Sequence, residues 1–401
     1  MTRNTTIDTL RALTMLVMIF VNDFWKIHDV PHWIEHAAYG EDFLGLADLV
    51  FPIFLFVVGL SIPYAIEGRY KKGYTGESTL AHILSRTLAL LLMGVFIGNS
   101  ESRLAADSPY SIAVYWLVMV AAFILIWNNY PKTMREGQAK LIVVLQVIGI
   151  VLLLFLAFTF RDPKGGVFAA RWGILGMIGF SYLFCALVYL LCRPRIGQIL
   201  MVWILLLLVC IGNTPLREAY GGVALLDFPE PNFYQGFLGL FHIGNGILAA
   251  FTLSGVLFTL ALQRYAAKPG RWWISRSLVA ALLLGLMGWG CHQFWIVSKI
   301  AGTPPWLFYT LSCVILLYVF LSWLEKRNLA GVFKLIRPAG TATLTVYLIP
   351  YVFYAFAELT GFVLPDMLTH GFIGLLNCMC FGLLIILIVG RLEKMNIKLK
   401  I

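Results

Sequence analysis

Hydrophobic positions along this chain gather in long unbroken stretches, without the alternation of a half-buried strand or the single stripe of a soluble helix. A bilayer core ~30 Å thick takes about 20 apolar residues per helical crossing. Runs of roughly that length lie near 10–27, 44–66, 80–99, 111–128, 140–160, 172–192, 196–212, 237–262, 274–292, 306–324, 341–357 and 371–390. The pattern predicts an all-α polytopic membrane protein with about twelve transmembrane helices, within a range of 10–12. The seventh run is short, bounded by Pro194 and Pro215. Segment 237–262 carries His242 and Asn245 near its start, so part of it is expected to be a loop or re-entrant stretch. No fixed-period repeat or low-complexity linker interrupts the series, and a single transmembrane domain is expected to fill residues 1–401.

Composition narrows the class. Of 401 residues, 60% are apolar and only 12% are charged, against about a quarter charged in soluble domains. A soluble globular protein, a nucleic-acid binder and a disordered scaffold are excluded. The formal charge of +10 reflects how membrane proteins insert, because Lys and Arg accumulate on cytoplasmic loops. With the N-terminus inside, 23 of the 30 Lys and Arg residues fall on the inner side, and 14 of the 20 acidic residues on the outer. Both termini are therefore expected in the cytoplasm. Six of the seven histidines, at 28, 32, 36, 242, 292 and 370, collect on or near the outer side, leaving His82 inside. The seven cysteines all lie in apolar runs, so no disulfide framework is expected. The first run has no small-residue cleavage site behind it and reads as a spanning helix rather than a leader.

The stretch 22–52 packs three histidines and six acidic residues between the first two helices. Asn22 and Asp23 close the first helix, and Asp48 lies inside the second. A carboxylate at bilayer depth is costly and usually faces a cavity or a partner, which makes Asp48 a functional candidate.

These residues carry a resemblance. Asp8-x-x-Arg11, Val21-Asn22, His36-Ala37 and Ala47-Asp48-Leu49-Val50-Phe51-Pro52 with Phe54 and Gly59 are similar to the transmembrane acetyltransferase family of heparan-α-glucosaminide N-acetyltransferase and its bacterial relatives. Ser298-Lys299 with Pro304-Pro305-Trp306, and Gly340 to Tyr347, resemble the late motifs of that family. The middle departs from it: Ser-Pro-Tyr-Ser-Ile-Ala stands at 108–113, and an Asp-Pro-Glu-Gly stretch is replaced by Phe233-Tyr234-Gln235-Gly236.

The resemblance implies that acetyl-CoA binds from the cytoplasm as acyl donor and that its acetyl group passes to an amino sugar or related glycan on the far side. It implies His36 as the catalytic residue, acting as general base or nucleophile, and it implies a homodimer. Asp48 or Asp23 is expected to orient the imidazole, and Asn22 to hydrogen-bond the thioester carbonyl. Arg11 and Arg86 are the expected phosphate ligands, with Asp8 one turn before Arg11 in the same donor-side group. Lys299 and Trp306, with Asp23, are expected on the acceptor side. Membrane lipid is a partner, whereas nucleic acid and a metal are not expected. Loops free of cysteine point to a bacterial inner membrane. Two other readings compete. Twelve crossings with both termini inside also suit an amino-sugar transporter, although the two halves show no match. His28, His32 and His36 have i, i+4, i+8 spacing, but Pro31 argues against the helix that a metal site would need.

Overall fold

The computed structural model describes residues 5–101, 104–105, 107–131, 136–226, 239, 244–265 and 270–401. His242 and the Phe233–Gly236 stretch lie outside the described residues.

Each of the twelve expected segments contains a helix: α1 (Thr5–Asn22), α2 (Leu46–Lys71), α3 (Gly76–Ser100), α4 (Ile112–Trp127), α5 (Glu136–Thr159), α6 (Gly173–Cys192), α7 (Ile196–Asn213), α8 (Ile247–Arg264), α9 (Gly270–His292), α10 (Pro304–Lys326), α12 (Thr343–Thr360) and α13 (Gly371–Lys394), with the short α11 (Arg337–Thr341) before α12. Ten of these are long and apolar enough to cross a membrane, and the chain is an all-α polytopic membrane protein. The structure shifts two of the expected boundaries. The first helix stops at Asn22, five residues short of expectation, where Phe24–Lys26 tightens into a 3₁₀ turn. Within 237–262, α8 starts at Ile247, after a turn at 244–246. All seven cysteines are free.

The chain divides into two compact units, neither continuous in sequence: Met1–Thr14, Val30–Thr87 and Met177–Val332 form one, and Met15–Asp29, Leu88–Gly176 and Phe333–Ile401 the other. In the first unit α2 packs on α8 with backbones in contact. A β-carbon on Gly59 would lie 1.8 Å from the carbonyl oxygen of Thr252, and one on Gly255 would lie 2.0 Å from that of Phe56. Small residues let membrane helices approach this closely, and dispersion then replaces the hydrophobic drive that lipid cannot supply. One turn further along, Thr259 donates its hydroxyl to the Leu60 carbonyl at 2.9 Å. This seam fixes the helix that carries Asp48. The remaining helices of the unit follow the same logic: α7 lies on α8, and α9 pairs with α10.

In the second unit α4 packs against α5 and α12, and α13 against α11 and α12. The chain end returns to α4, with Lys400 N–H donating to the Trp127 carbonyl at 2.9 Å and Asn129 N–H to that of Lys398 at 2.8 Å.

Candidate functional site

The site begins with an unusual start to α2. Orphan N–H groups in the first turn of a helix need acceptors, and here the preceding loop folds back to provide them. Leu46 N–H donates to the Trp33 carbonyl at 2.9 Å and Ala47 N–H to that of Ile34 at 3.1 Å. Only glycine fits at position 45, because a β-carbon there would sit 1.8 Å from the Glu35 carbonyl oxygen. His36 is thereby laid across the helix N-terminus.

Asp48, 1% exposed, is the group it meets. One carboxylate oxygen accepts the N–H groups of Ala37 at 3.0 Å and Gly45 at 3.2 Å. The other lies 2.8 Å from Nδ1 of His36. A carboxylate in the first turn is also favoured by the helix dipole. Because an ionised carboxylate only accepts, the shorter contact, to Asp48, sets the ring hydrogen on Nδ1. The Lys299 ammonium at 3.1 Å is then an electrostatic neighbour of that nitrogen and not its hydrogen-bond donor. In the neutral ring Nε2 then keeps its lone pair, and among the described residues it has no hydrogen-bond partner. The side chain of His36 is 46% exposed, so this nitrogen is open to a reactant.

Lys299 comes to the same place from the other end of the unit. A tight turn displays it: Ser298 N–H donates to Thr303 Oγ1 at 3.0 Å, Ala301 N–H to Ser298 Oγ at 3.2 Å, and Asn245 Nδ2 to the Gly302 carbonyl at 2.7 Å. Its Nζ lies 3.1 Å from His36 Nδ1 and 3.8 Å from Asp48 Oδ1. Burial pulls the Lys299 ammonium below the usual lysine range, and the Asp48 charge opposes that pull. Asp42 ties the two loops together. It accepts the Val297 N–H at 2.7 Å and pairs with Arg217 at 2.6 Å and with His292 Nε2 at 2.8 Å. Arg217 also donates to the His292 carbonyl, from Nε at 3.0 Å and Nη2 at 2.8 Å. Burial opposes ionisation of Asp42, but these donors outweigh it and hold the carboxyl below its usual range.

Trp306, expected on the acceptor side, is 1% exposed. Its indole N–H donates to the Asp48 carbonyl at 3.1 Å, and its ring meets Phe251 edge-on, so it props α2 from behind. The three loop histidines have separate partners. His32 pairs with Glu41 at 2.8 Å and stacks on Phe43, whereas the His28 ring lies 5.0 Å from that of His370. Asp23 belongs to the second unit, where Tyr354 donates to it at 3.2 Å and Lys26 pairs with it at 3.4 Å. Asn22 ends α1 in the same unit and is exposed.

Residues 3–214, more than half the chain, match a family model described as a domain of unknown function, DUF5009. The chain belongs to the DUF5009 family. It is also similar to heparan-alpha-glucosaminide N-acetyltransferase of Mus musculus, 32% identical over 141 residues, which is 32% of this chain and 20% of the mouse protein. The Homo sapiens protein of that name is 31% identical over 97 residues, 23% of this chain and 13% of the human one. The chain thus spans at most about a fifth of the length of the curated relatives it matches.

The expected donor-side residues of this DUF5009 chain lie on other helices, Asp8 and Arg11 on α1 and Arg86 on α3. Arg11 is already engaged, pairing with Asp8 at 3.3 Å and donating to Ser61 Oγ at 2.6 Å. Arg86 lies over the Tyr182 ring at 4.8 Å, and its Nε is buried without a partner among the described residues. Arg69 has an equally orphaned Nε while its Nη2 donates to Ser78. Sequence reading passed over Arg69, Asp42 and Arg217. Arg69 stands in a basic cluster where nothing local singles it out, and the other two matter through partners remote in the chain.

Proposed function

We propose that this protein is a membrane acetyltransferase that takes the acetyl group of cytoplasmic acetyl-CoA and delivers it to an amino sugar or related glycan on the opposite face. The observation that carries the reading is the His36–Asp48 pair: an exposed imidazole whose Nδ1–H is bound by a buried carboxylate and whose Nε2 is free. The likeness to an N-acetyltransferase over about a third of the chain agrees with it.

The chemistry follows from the tautomer. Nε2 accepts a proton from the acceptor amine as its nitrogen attacks the thioester carbonyl carbon. The C–S bond breaks, the electron pair leaves on sulfur, and the imidazolium returns the proton to the thiolate. Asp48 holds the ring orientation and stabilises the transient positive charge, as carboxylates do beside catalytic histidines. The alternative of the same atoms is nucleophilic: Nε2 takes the acetyl group and passes it on. Arg86 and Arg69 are the donor-side residues with unsatisfied guanidinium hydrogens to offer a phosphate. The positive-inside bias supports placing them in the cytoplasm and His36 outside, in a bacterial inner membrane, with a homodimer as the assembly.

Purified protein in detergent tests the reading, because without a second compartment a transporter consumes no acetyl-CoA. Wild type should release free thiol from acetyl-CoA when glucosamine is present. His36→Ala should lose on the order of 10²–10⁴-fold, and Asp48→Asn should fall between it and wild type. His28→Ala and His32→Ala should retain most activity. Thiol release by His36→Ala within about threefold of wild type, well inside the loss expected of a base, would overturn the assignment.

A further inference from the structure

The second unit contains a cavity of about 820 Å³ at the end of α1 and the α12–α13 turn, within the size range of small-molecule sites. Its lining is aromatic and acidic at once. Trp25, Trp116, Phe353, Tyr354, Phe356 and Phe362 contribute rings, and Asp23, Glu358 and Asp366 stand against one lysine, Lys26.

That lysine shows what the walls accept. Its Nζ lies 4.3 Å from the Tyr354 ring centroid and 4.7 Å from that of Trp25, while pairing with Asp23. Aromatic faces and a carboxylate together hold an ammonium group well. Lys26 and Asp23 neutralise each other, which leaves Glu358 and Asp366 with no ion-pair partner among the described residues. Around the mouth, Phe356 is 60% exposed, Phe362 62% and Val363 82%. One more group is unused: the Trp116 indole N–H is buried with no acceptor among the described residues.

An anion is opposed by the surplus of carboxylates, and a plain hydrocarbon would leave both charges unanswered. We propose that this cavity binds an organic ammonium ion carried on an apolar body, with Glu358 and Asp366 supplying the countercharge and the exposed rings the apolar contact. The proposal rests on Glu358 and Asp366, which the acetyl-transfer reading does not use; Asp23, expected on its acceptor side, is here neutralised by Lys26.

The test uses the full-length protein in a maltoside detergent, with benzyltrimethylammonium as probe and benzyl alcohol and benzoate as its neutral and anionic counterparts. Equilibrium dialysis should show the cation binding about tenfold tighter than either counterpart, with the advantage shrinking as salt is added. The double variant Glu358→Gln/Asp366→Asn should lose about fivefold or more of cation binding. Both positions are exposed, so its thermal unfolding should match wild type. Equal binding of the cation and benzyl alcohol, or undiminished cation binding by the folded double variant, overturns the proposal. Competition by an ethanolamine phospholipid but not a glycerol phospholipid would assign the site to a lipid headgroup. Retained probe binding in the presence of both would assign it to a soluble cation.

Discussion

Lys299 and His36, 263 positions apart, meet at 3.1 Å between Nζ and Nδ1, with the Asp48 carboxylate 3.8 Å from the same ammonium. With the ring hydrogen on Nδ1 directed at Asp48, the lysine is the neighbour that tunes this hydrogen bond. It does so at a cost to the fold. Burial lowers its folded-state pKa, so the unfolded chain binds the proton more readily. The charged side chain therefore destabilises the protein at neutral pH, and the penalty fades as pH rises through the folded value toward the ordinary one. Lys299→Met should unfold at a higher temperature than wild type at neutral pH while its kcat for acetyl transfer falls about 10- to 100-fold. A variant that is less stable and fully active would mean that Lys299 serves only to hold the loop.

Asp42 gives the opposite pH behaviour. Its carboxyl is held below the ordinary value by the Val297 N–H, His292 and Arg217, against the effect of burial. As pH falls the unfolded chain takes up the proton first, near the ordinary value of about 3.9. The stabilising contribution is therefore present above that value and is lost as pH drops through the lower folded one. Asp42→Asn should lower the unfolding temperature at neutral pH, and the gap to wild type should close as both are titrated below about pH 3.9. Thermal unfolding followed by tryptophan fluorescence across that range checks it. A gap that persists unchanged into acid would place the contribution in shape and not in charge.

Much of the architecture was legible because lipid imposes a coarse rule: a spanning helix must be long and apolar, and each of the twelve runs contains a helix, ten of them long and apolar enough to span. His36 and Asp48 were legible as neighbours because twelve residues and a motif separate them. The contribution of Lys299 to that pair was not, because it depends on how α10 and the turn before it meet a loop more than 250 positions earlier. The same holds for Asp42, whose partners are Arg217 in the loop after α7, and His292 and Val297 at the end of α9 and in the loop that follows it. Trp306 misled for a different reason. An aromatic residue beside an interfacial turn looks the same in sequence whether its N–H faces a ligand or, as here, a backbone carbonyl.

Gly45 tests whether the His36 loop must lie on α2. A methyl group there would collide with the Glu35 carbonyl, the residue before His36. Overpacking of this kind typically costs about 1–3 kcal/mol, so Gly45→Ala should unfold at a lower temperature yet still fold. Its acetyl transfer should fall at least tenfold, on the order of losing the orientation of a general base. Donor affinity should be unchanged, because α2 beyond its first turn is undisturbed. Equal losses of donor binding and turnover, measured by single-turnover kinetics, would point to a general loss of folded protein.

The donor side separates two arginines that sequence treats alike. Arg11 already spends its guanidinium on Asp8 and Ser61, whereas Arg86 keeps a buried Nε without a partner among the described residues. A guanidinium with hydrogens to spare can grip phosphate at little cost, but Arg11 would first have to give up a carboxylate. Screening offers the discriminator, since a phosphate contact near the surface weakens as the Debye length contracts from about 30 Å at 0.01 M salt to about 10 Å at 0.1 M. Arg86→Ala should weaken coenzyme A binding about tenfold at the lower salt and by less at the higher, flattening the salt dependence seen in wild type. Arg11→Ala should leave that dependence intact and lower thermal stability instead, because Asp8 and Ser61 lose their partner. Titration of both variants by isothermal calorimetry at the two salt concentrations decides between them. If Arg11→Ala alone flattened the salt dependence, the donor phosphates would belong at α1, and Arg86 would be left as packing for Tyr182.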